Sequence, residues 1–365
     1  MDPLQVGRCA LRHRVVMAPM TRLRADDDHV PSKMMFEYFT QRASVPGTLL
    51  ITDASFISAN SRGRDENVPG IYTDAQIQAW KCITDEVHAR GSYIFMQLWH
   101  VGRAAREHVL DKIGLDMVSS SNIPISDKHQ IPRPMTTEEI WECIASFAQA
   151  AKNAVSAGFD GVEIHGANGY LTDQFIQDTC NVRRDEWGGS VENRSRFCVE
   201  VVKTVCEAIG PDRTAVRLSP FSTFQGMRMK DPNPQFTDLI SRLRELCPAY
   251  LHLIEPQVAG NVDKGVQAGE SLDFAIKTWS KASPIILAGG YSLERVTRAL
   301  ETTFSDEPVG FAFGRHFISN PDLPFRLENN LPLAQHRIDG FYTAKSPEGY
   351  IDYAFSEPWR VRSSL

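Results

Sequence analysis

Short runs of apolar residues recur along the chain at 15–17, 49–52, 93–98, 161–164, 215–218, 250–254, 284–288 and 309–313. They are nearly continuous in Val, Ile, Leu, Phe and Ala rather than alternating with polar residues, the pattern of parallel strands covered on both faces. Between them lie stretches in which apolar residues return every three to four positions, near 34–44, 75–89, 137–157, 193–208, 235–246, 272–280 and 293–301. That period predicts amphipathic helices. Thr136-Thr-Glu-Glu139 has the form of a capping box opening one of them.

Eight strand–helix repeats in sequence predict an α/β fold, a closed (β/α)8 TIM barrel. A doubly wound sheet needs a glycine-rich first turn, and the turn here, Ala18-Pro19-Met20-Thr21-Arg22, has no glycine. No Gly/Ser/Pro linker divides the chain, so residues 1–365 are expected to form one domain. The Pro-dotted stretch 103–134 follows the third strand, on the side where barrels keep their active sites, and is expected to cap the pocket.

Composition narrows the function. The hydrophobic share of 42% and charged share of 23% are those of a globular protein, and the net charge of −6 argues against nucleic acid or an anionic membrane as partner. No apolar run is long enough to span a bilayer. The start Met1-Asp2-Pro3-Leu4 lacks a basic, apolar leader, so a cytoplasmic location is expected. Seven scattered cysteines without a Cys-x-x-Cys pair suggest neither a disulfide framework nor a metal site.

Barrel enzymes work at the C-terminal ends of their strands. Past the fourth strand come His165, Asn168 and Tyr170, spaced by Gly166 and Gly169. His and Asn can donate to one oxygen while Tyr yields a proton: a kit for polarising a carbonyl and protonating the carbon beside it. Gly289 and Gly290 after strand seven, with Gly314 and Arg315 after strand eight, have the make-up of a barrel phosphate pocket. Arg217 in strand five is read either as half of an ion pair across the barrel or as a cation beneath an anionic ring. Gln97 offers a donor and an acceptor for an amide-rich heterocycle.

Taken together, Met17-Ala-Pro-Met-Thr-Arg22, Gln97-Leu-Trp99, the run His165 to Tyr170, Trp187-Gly-Gly-Ser-Val-Glu-Asn-Arg-Ser-Arg-Phe197, Arg217-Leu-Ser-Pro220, Ala288-Gly-Gly290 and Phe313-Gly-Arg315 resemble the old yellow enzyme family of FMN-dependent ene-reductases, almost end to end. The Arg42–Thr48 run is similar to fungal members of natural-product pathways. The resemblance implies bound FMN and transient NADPH. It implies Pro19, Met20, Thr21 and Ala54 against the flavin, Gln97 at its pyrimidine edge, Arg217 near N1 and O2, and Gly289, Gly290, Gly314 and Arg315 around the phosphate. His165 and Asn168 would grip the carbonyl oxygen of an α,β-unsaturated aldehyde or ketone, Tyr170 would be the proton donor, and Trp99, Phe224, Phe341 and Tyr342 would line the substrate pocket. Use of the same fold as a double-bond isomerase or dehydrogenase is the alternative.

Phe221 stands where many relatives have Tyr. His100 is expected to bond into its own loop, His252 and Cys180 to be packing residues, and the Arg183–Asp185 and Asn193–Arg196 clusters to be structural. Substrate choice and oligomeric state are not legible; the former is expected to depend on 103–134 and 257–271.

Overall fold

In the computed structural model, which describes residues 2–363 other than 261 and 268, the eight apolar runs become eight parallel strands. They are β1 (Val15–Met17), β2 (Leu49–Phe56), β3 (Tyr93–Trp99), β4 (Gly161–Gly166), β5 (Thr214–Leu218), β6 (Tyr250–Ile254), β7 (Ile285–Ala288) and β8 (Val309–Phe313). Each pairs with the next and β8 returns to β1, closing the barrel. The principal helices are α1 (Lys33–Arg42), α2 (Asp74–Ala89), α3 (Thr137–Ser156), α4 (Val191–Ile209), α5 (Asn233–Glu245), α6 (Asp273–Trp279) and α7 (Leu293–Glu301). They lie where the period predicts. The capping box at α3 forms: Glu139 N–H donates to Thr136 Oγ1 at 3.2 Å and Thr136 N–H to Glu139 Oε2 at 2.8 Å.

Strand faces divide the core. Val162 and Ile164 point out into the large cluster shared with the helices, whereas Val16, Leu49, Ile51, Phe95, Ala215 and Ile286 fill the barrel. A hairpin that the period did not reveal, Leu4–Val6 paired with Cys9–Leu11, belongs to the interior cluster and stoppers one end. Its strands are three residues long, too short for periodicity to register.

Two boundaries matter for the site. β2 runs four residues beyond the expected 49–52, because a bulge between Ile51 and Ala54 lets the strand resume past polar Thr52 and Asp53. β4 runs to Gly166, so His165 is a strand residue and not part of the loop. Segment 103–134 is folded, with a helix at Glu107–Ile113 and strands Val118–Ser119 and Arg133–Pro134. It packs Ala105, Leu110 and Met117 beside Trp99, and of the whole segment Arg106 alone lines the pocket. Three buried arginines, Arg22, Arg24 and Arg42, tie the segment around 340–350 to the first βα loop and the end of α1 by donating to the carbonyls of Gly340, Phe341, Ser346, Gly349 and Tyr350. Among the described residues, no helix is long and apolar enough to cross a membrane.

Candidate active site

A cavity of about 950 Å³ opens at the C-terminal ends of the strands. Every residue expected to be catalytic, flavin-binding or pocket-lining lines it: His165, Asn168 and Tyr170; Pro19, Met20, Thr21, Ala54, Gln97 and Arg217; Gly289, Gly290, Gly314 and Arg315; Trp99, Phe224, Phe341 and Tyr342.

Strand alternation aims His165 inward, and the backbone fixes its proton. Ala167 N–H donates to His165 Nδ1 at 3.4 Å, which leaves Nε2 as an N–H donor. Burial, with the nearby Arg217 and His252, holds its pKa well below the ordinary value, so the ring is neutral at pH 7. The chain then turns sharply. Asn168 and Gly169 both have positive φ, 57° and 72°, a conformation Asn tolerates and Gly prefers. The turn is held from several sides: Asn168 N–H donates to Ser219 Oγ at 2.8 Å, Gly169 N–H to Asp173 Oδ2 at 2.8 Å, and Gln174 Nε2 to the Gly169 carbonyl at 2.8 Å. A Cβ on Gly169 would come within 2.8 Å of Gln225 Cβ. Asn168 Oδ1 is buried with no hydrogen-bond partner among the described residues.

Tyr170 stands edge-on to Trp99 and His165, with ring centroids 4.7 and 4.9 Å away, and the Arg64 guanidinium lies 5.6 Å from its ring. Burial raises the Tyr170 pKa above its usual value despite Arg64, so the phenol keeps its proton at neutral pH. Opposite, Gly289 (φ 133°) and Gly290 (φ 62°) form a turn whose carbonyls are taken by Arg295 Nη1 at 3.2 Å each. Arg315 pairs with Asp263, at 2.6 and 2.8 Å.

A flavin mononucleotide meets a consistent set of groups here. Arg217 Nε and Trp99 Nε1 are buried donors with no partner among the described residues, Arg217 and Gln97 give the floor polarity, and the glycine turns give close backbone approach at the far end. Among the described residues Arg217 makes no direct ion pair with a carboxylate. Glu163 lies in the barrel beneath, but its oxygens are taken by Gln97, Tyr250 and His252.

The remaining expectations divide similarly. His100 Nδ1 accepts from Gly102 N–H within its own loop, and burial pushes its pKa down to about 4. Arg183 pairs with Asp185 at 2.7 Å, and Arg194 and Arg196 bond Gln235 and the Glu186 carbonyl. Cys180 is buried against the hydroxyls of Ser119 and Ser120. His252 is a buried core residue as expected, and its Nδ1 is bonded to the Glu163 carboxylate at 2.8 Å. The sequence reading missed Glu163 altogether, along with the Arg64, Asp65 and Arg106 cluster at the pocket mouth. Inward alternation in Val162-Glu-Ile-His165 was the signal for Glu163; the mouth cluster, drawn from two separate loops, left none.

Known proteins resemble this chain along most of its length. A chanoclavine-I aldehyde reductase, fgaOx3, of Penicillium roqueforti (strain FM164) is 56% identical over 97% of this chain and 95% of its own length. A probable inactive reductase, easA, of Epichloe festucae var. lolii is 49% identical over 98% and 95%. The crystal structure of Old Yellow Enzyme from Pichia sp. AKU4542 superposes with a TM-score of 0.90 at 38% identity, covering 98% of this chain and 93% of that one. Residues 1–334 match the NADH:flavin oxidoreductase / NADH oxidase family, so the chain belongs to that family and is a flavin-dependent oxidoreductase of the old yellow enzyme type.

Proposed function

We propose that the chain, acting as one domain, is an FMN-dependent ene-reductase that takes reducing equivalents from NADPH and saturates the activated double bond of an α,β-unsaturated aldehyde or ketone. The observation that carries this reading is the meeting of a neutral His165 Nε2–H, the Asn168 amide and a protonated Tyr170 at one cavity whose floor is Gln97 and Arg217. FMN, when bound, supplies the hydride that reaches the β-carbon. His165 and Asn168 hold the carbonyl oxygen and stabilise the negative charge that develops on it, each such donor being worth roughly 2.7–4 kcal/mol by comparison with oxyanion holes. Tyr170 then gives its proton to the α-carbon.

The buried ring of Trp99 packs edge-on against Tyr170, while Arg64 and Arg106 in the same lining suit the phosphates of a dinucleotide. The chanoclavine-I aldehyde reductase supports an aldehyde as the substrate class. The test is an anaerobic absorbance titration. The expected result is a yellow protein that bleaches with NADPH and recovers on addition of cyclohexenone. A protein that bleaches but never recovers with any enone or enal overturns ene reduction, and one that takes up no FMN overturns the flavin reading.

A further inference from the structure

The interior of a parallel barrel is ordinarily packed with branched apolar side chains, yet one layer of this one carries a carboxylate. Glu163 lies one inward position before His165 in β4, its side chain fully buried. It accepts hydrogen bonds from Gln97 Nε2 at 2.7 Å, the Tyr250 hydroxyl at 3.0 Å and His252 Nδ1 at 2.8 Å. Strand register assembles the group: Gln97 is opposite Glu163, and Arg217 is opposite both His165 and His252. Burial works against the charge on Glu163, but the hydrogen bonds from His252 and Gln97 and the charge of Arg217 outweigh it and hold the pKa below the usual carboxylate value; burial lowers the His252 pKa despite Glu163. A buried ionic group is commonly no more stabilising than apolar residues of the same volume, so packing does not account for it.

The consequence lies at the pocket floor. With its nitrogen bonded to a carboxylate, Gln97 has its amide oxygen, an acceptor, to offer upward, whereas Arg217 beside it offers only N–H donors. An acceptor flanked by donors complements a ring edge on which an imide N–H stands next to a carbonyl.

We propose that Glu163 is a positioning residue for the flavin: it fixes the orientation of the Gln97 amide and offsets part of the Arg217 charge, and so sets how strongly the site favours reduced over oxidised FMN. This rests on the flavin reading above. Glu163→Gln is nearly isosteric, removes the negative charge and turns an N–H toward Gln97, reversing the polarity of the floor. Oxidised FMN is expected to bind about tenfold more weakly, while the preference for the reduced form rises about tenfold through the lost charge.

Fluorescence titration of FMN into the apoprotein measures the first, and the midpoint potential of the bound flavin, which shifts positive, measures the second. A purely structural Glu163 weakens both forms alike and leaves the potential where it was; an unchanged potential overturns the proposal. If Glu163→Gln does not fold, Tyr250→Phe decides. It keeps the carboxylate but removes one of its donors, leaving the charge less dispersed, and the potential shifts negative; no shift there overturns the proposal equally. Wild-type protein that binds no FMN marks the failure of the flavin reading instead.

Discussion

At the ends of β3, β4 and β5 the polar groups are already committed to one arrangement, whereas at the ends of β7 and β8 they are open or engaged with a surface partner. His165 is fixed by Ala167, the 168–169 turn by Ser219, Asp173 and Gln174, and Gln97 by Glu163, all of them buried. Across the cavity, Gly290 and Gly314 carry no side chain, and Arg315 is held by Asp263, whose side chain is 58% exposed. The difference follows the work each side is read to do. Stabilising charge on one substrate oxygen calls for donors that need no reorganisation. A phosphate can be met by backbone amides and a cation that exchanges partners, because its charge is spread over several oxygens.

This contrast can be broken at graded cost. Tyr170→Phe removes the proton and nothing else; enone reduction is expected to fall by roughly 10²–10⁴ while reduction of the flavin by NADPH, followed by stopped-flow bleaching, stays at the wild-type rate. Equal turnover by the variant removes Tyr170 from its role. His165→Ala takes away one prearranged donor, and enone reduction drops by about 10²–10³. Binding of simple phenols, titrated through the flavin spectrum, weakens with it, and an unchanged phenol affinity counts against the assignment.

Asp173 probes how the turn is held. Burial pushes its carboxyl up to about 7 against the bonds from Gln177 and Gly169, so the native state holds a proton that the unfolded chain releases near pH 4. The stability gained from that proton is fully present below about pH 4 and is lost as pH rises through about 7. Asp173→Asn should therefore gain on wild type between pH 4 and pH 8, on the order of 4 kcal/mol, in urea denaturation at each pH. Parallel curves for the two proteins contradict this.

On the other side the effects are smaller. Arg315→Ala is expected to weaken FMN about tenfold without altering phenol affinity. Asp263→Asn, which frees Arg315, tightens FMN a few-fold, as an exposed ion pair contributes about 1 kcal/mol or less. If Asp263→Asn weakens FMN instead, Asp263 supports the phosphate side rather than competing for its arginine.

The sequence by itself determined the barrel, the order of its strands and the strand-end residues His165, Asn168, Tyr170 and Arg217, while resemblance to a family supplied most of the other cavity residues. Continuous apolar runs, helical periods and the rule that strand ends carry the chemistry are local signals, and local signals survive in one dimension. Only the tertiary structure decided what lies beneath and around those residues. Glu163 gains its meaning from Gln97, Tyr250 and His252, contributed by three other stretches of chain and brought together by strand register. The pairing of Arg315 with Asp263, and of Asp65 with Arg64 and Arg106, likewise depends on loops whose paths no periodicity encodes. A side chain's type is written in the sequence; its charge state, its tautomer and the direction of its free atom come from neighbours that only folding supplies.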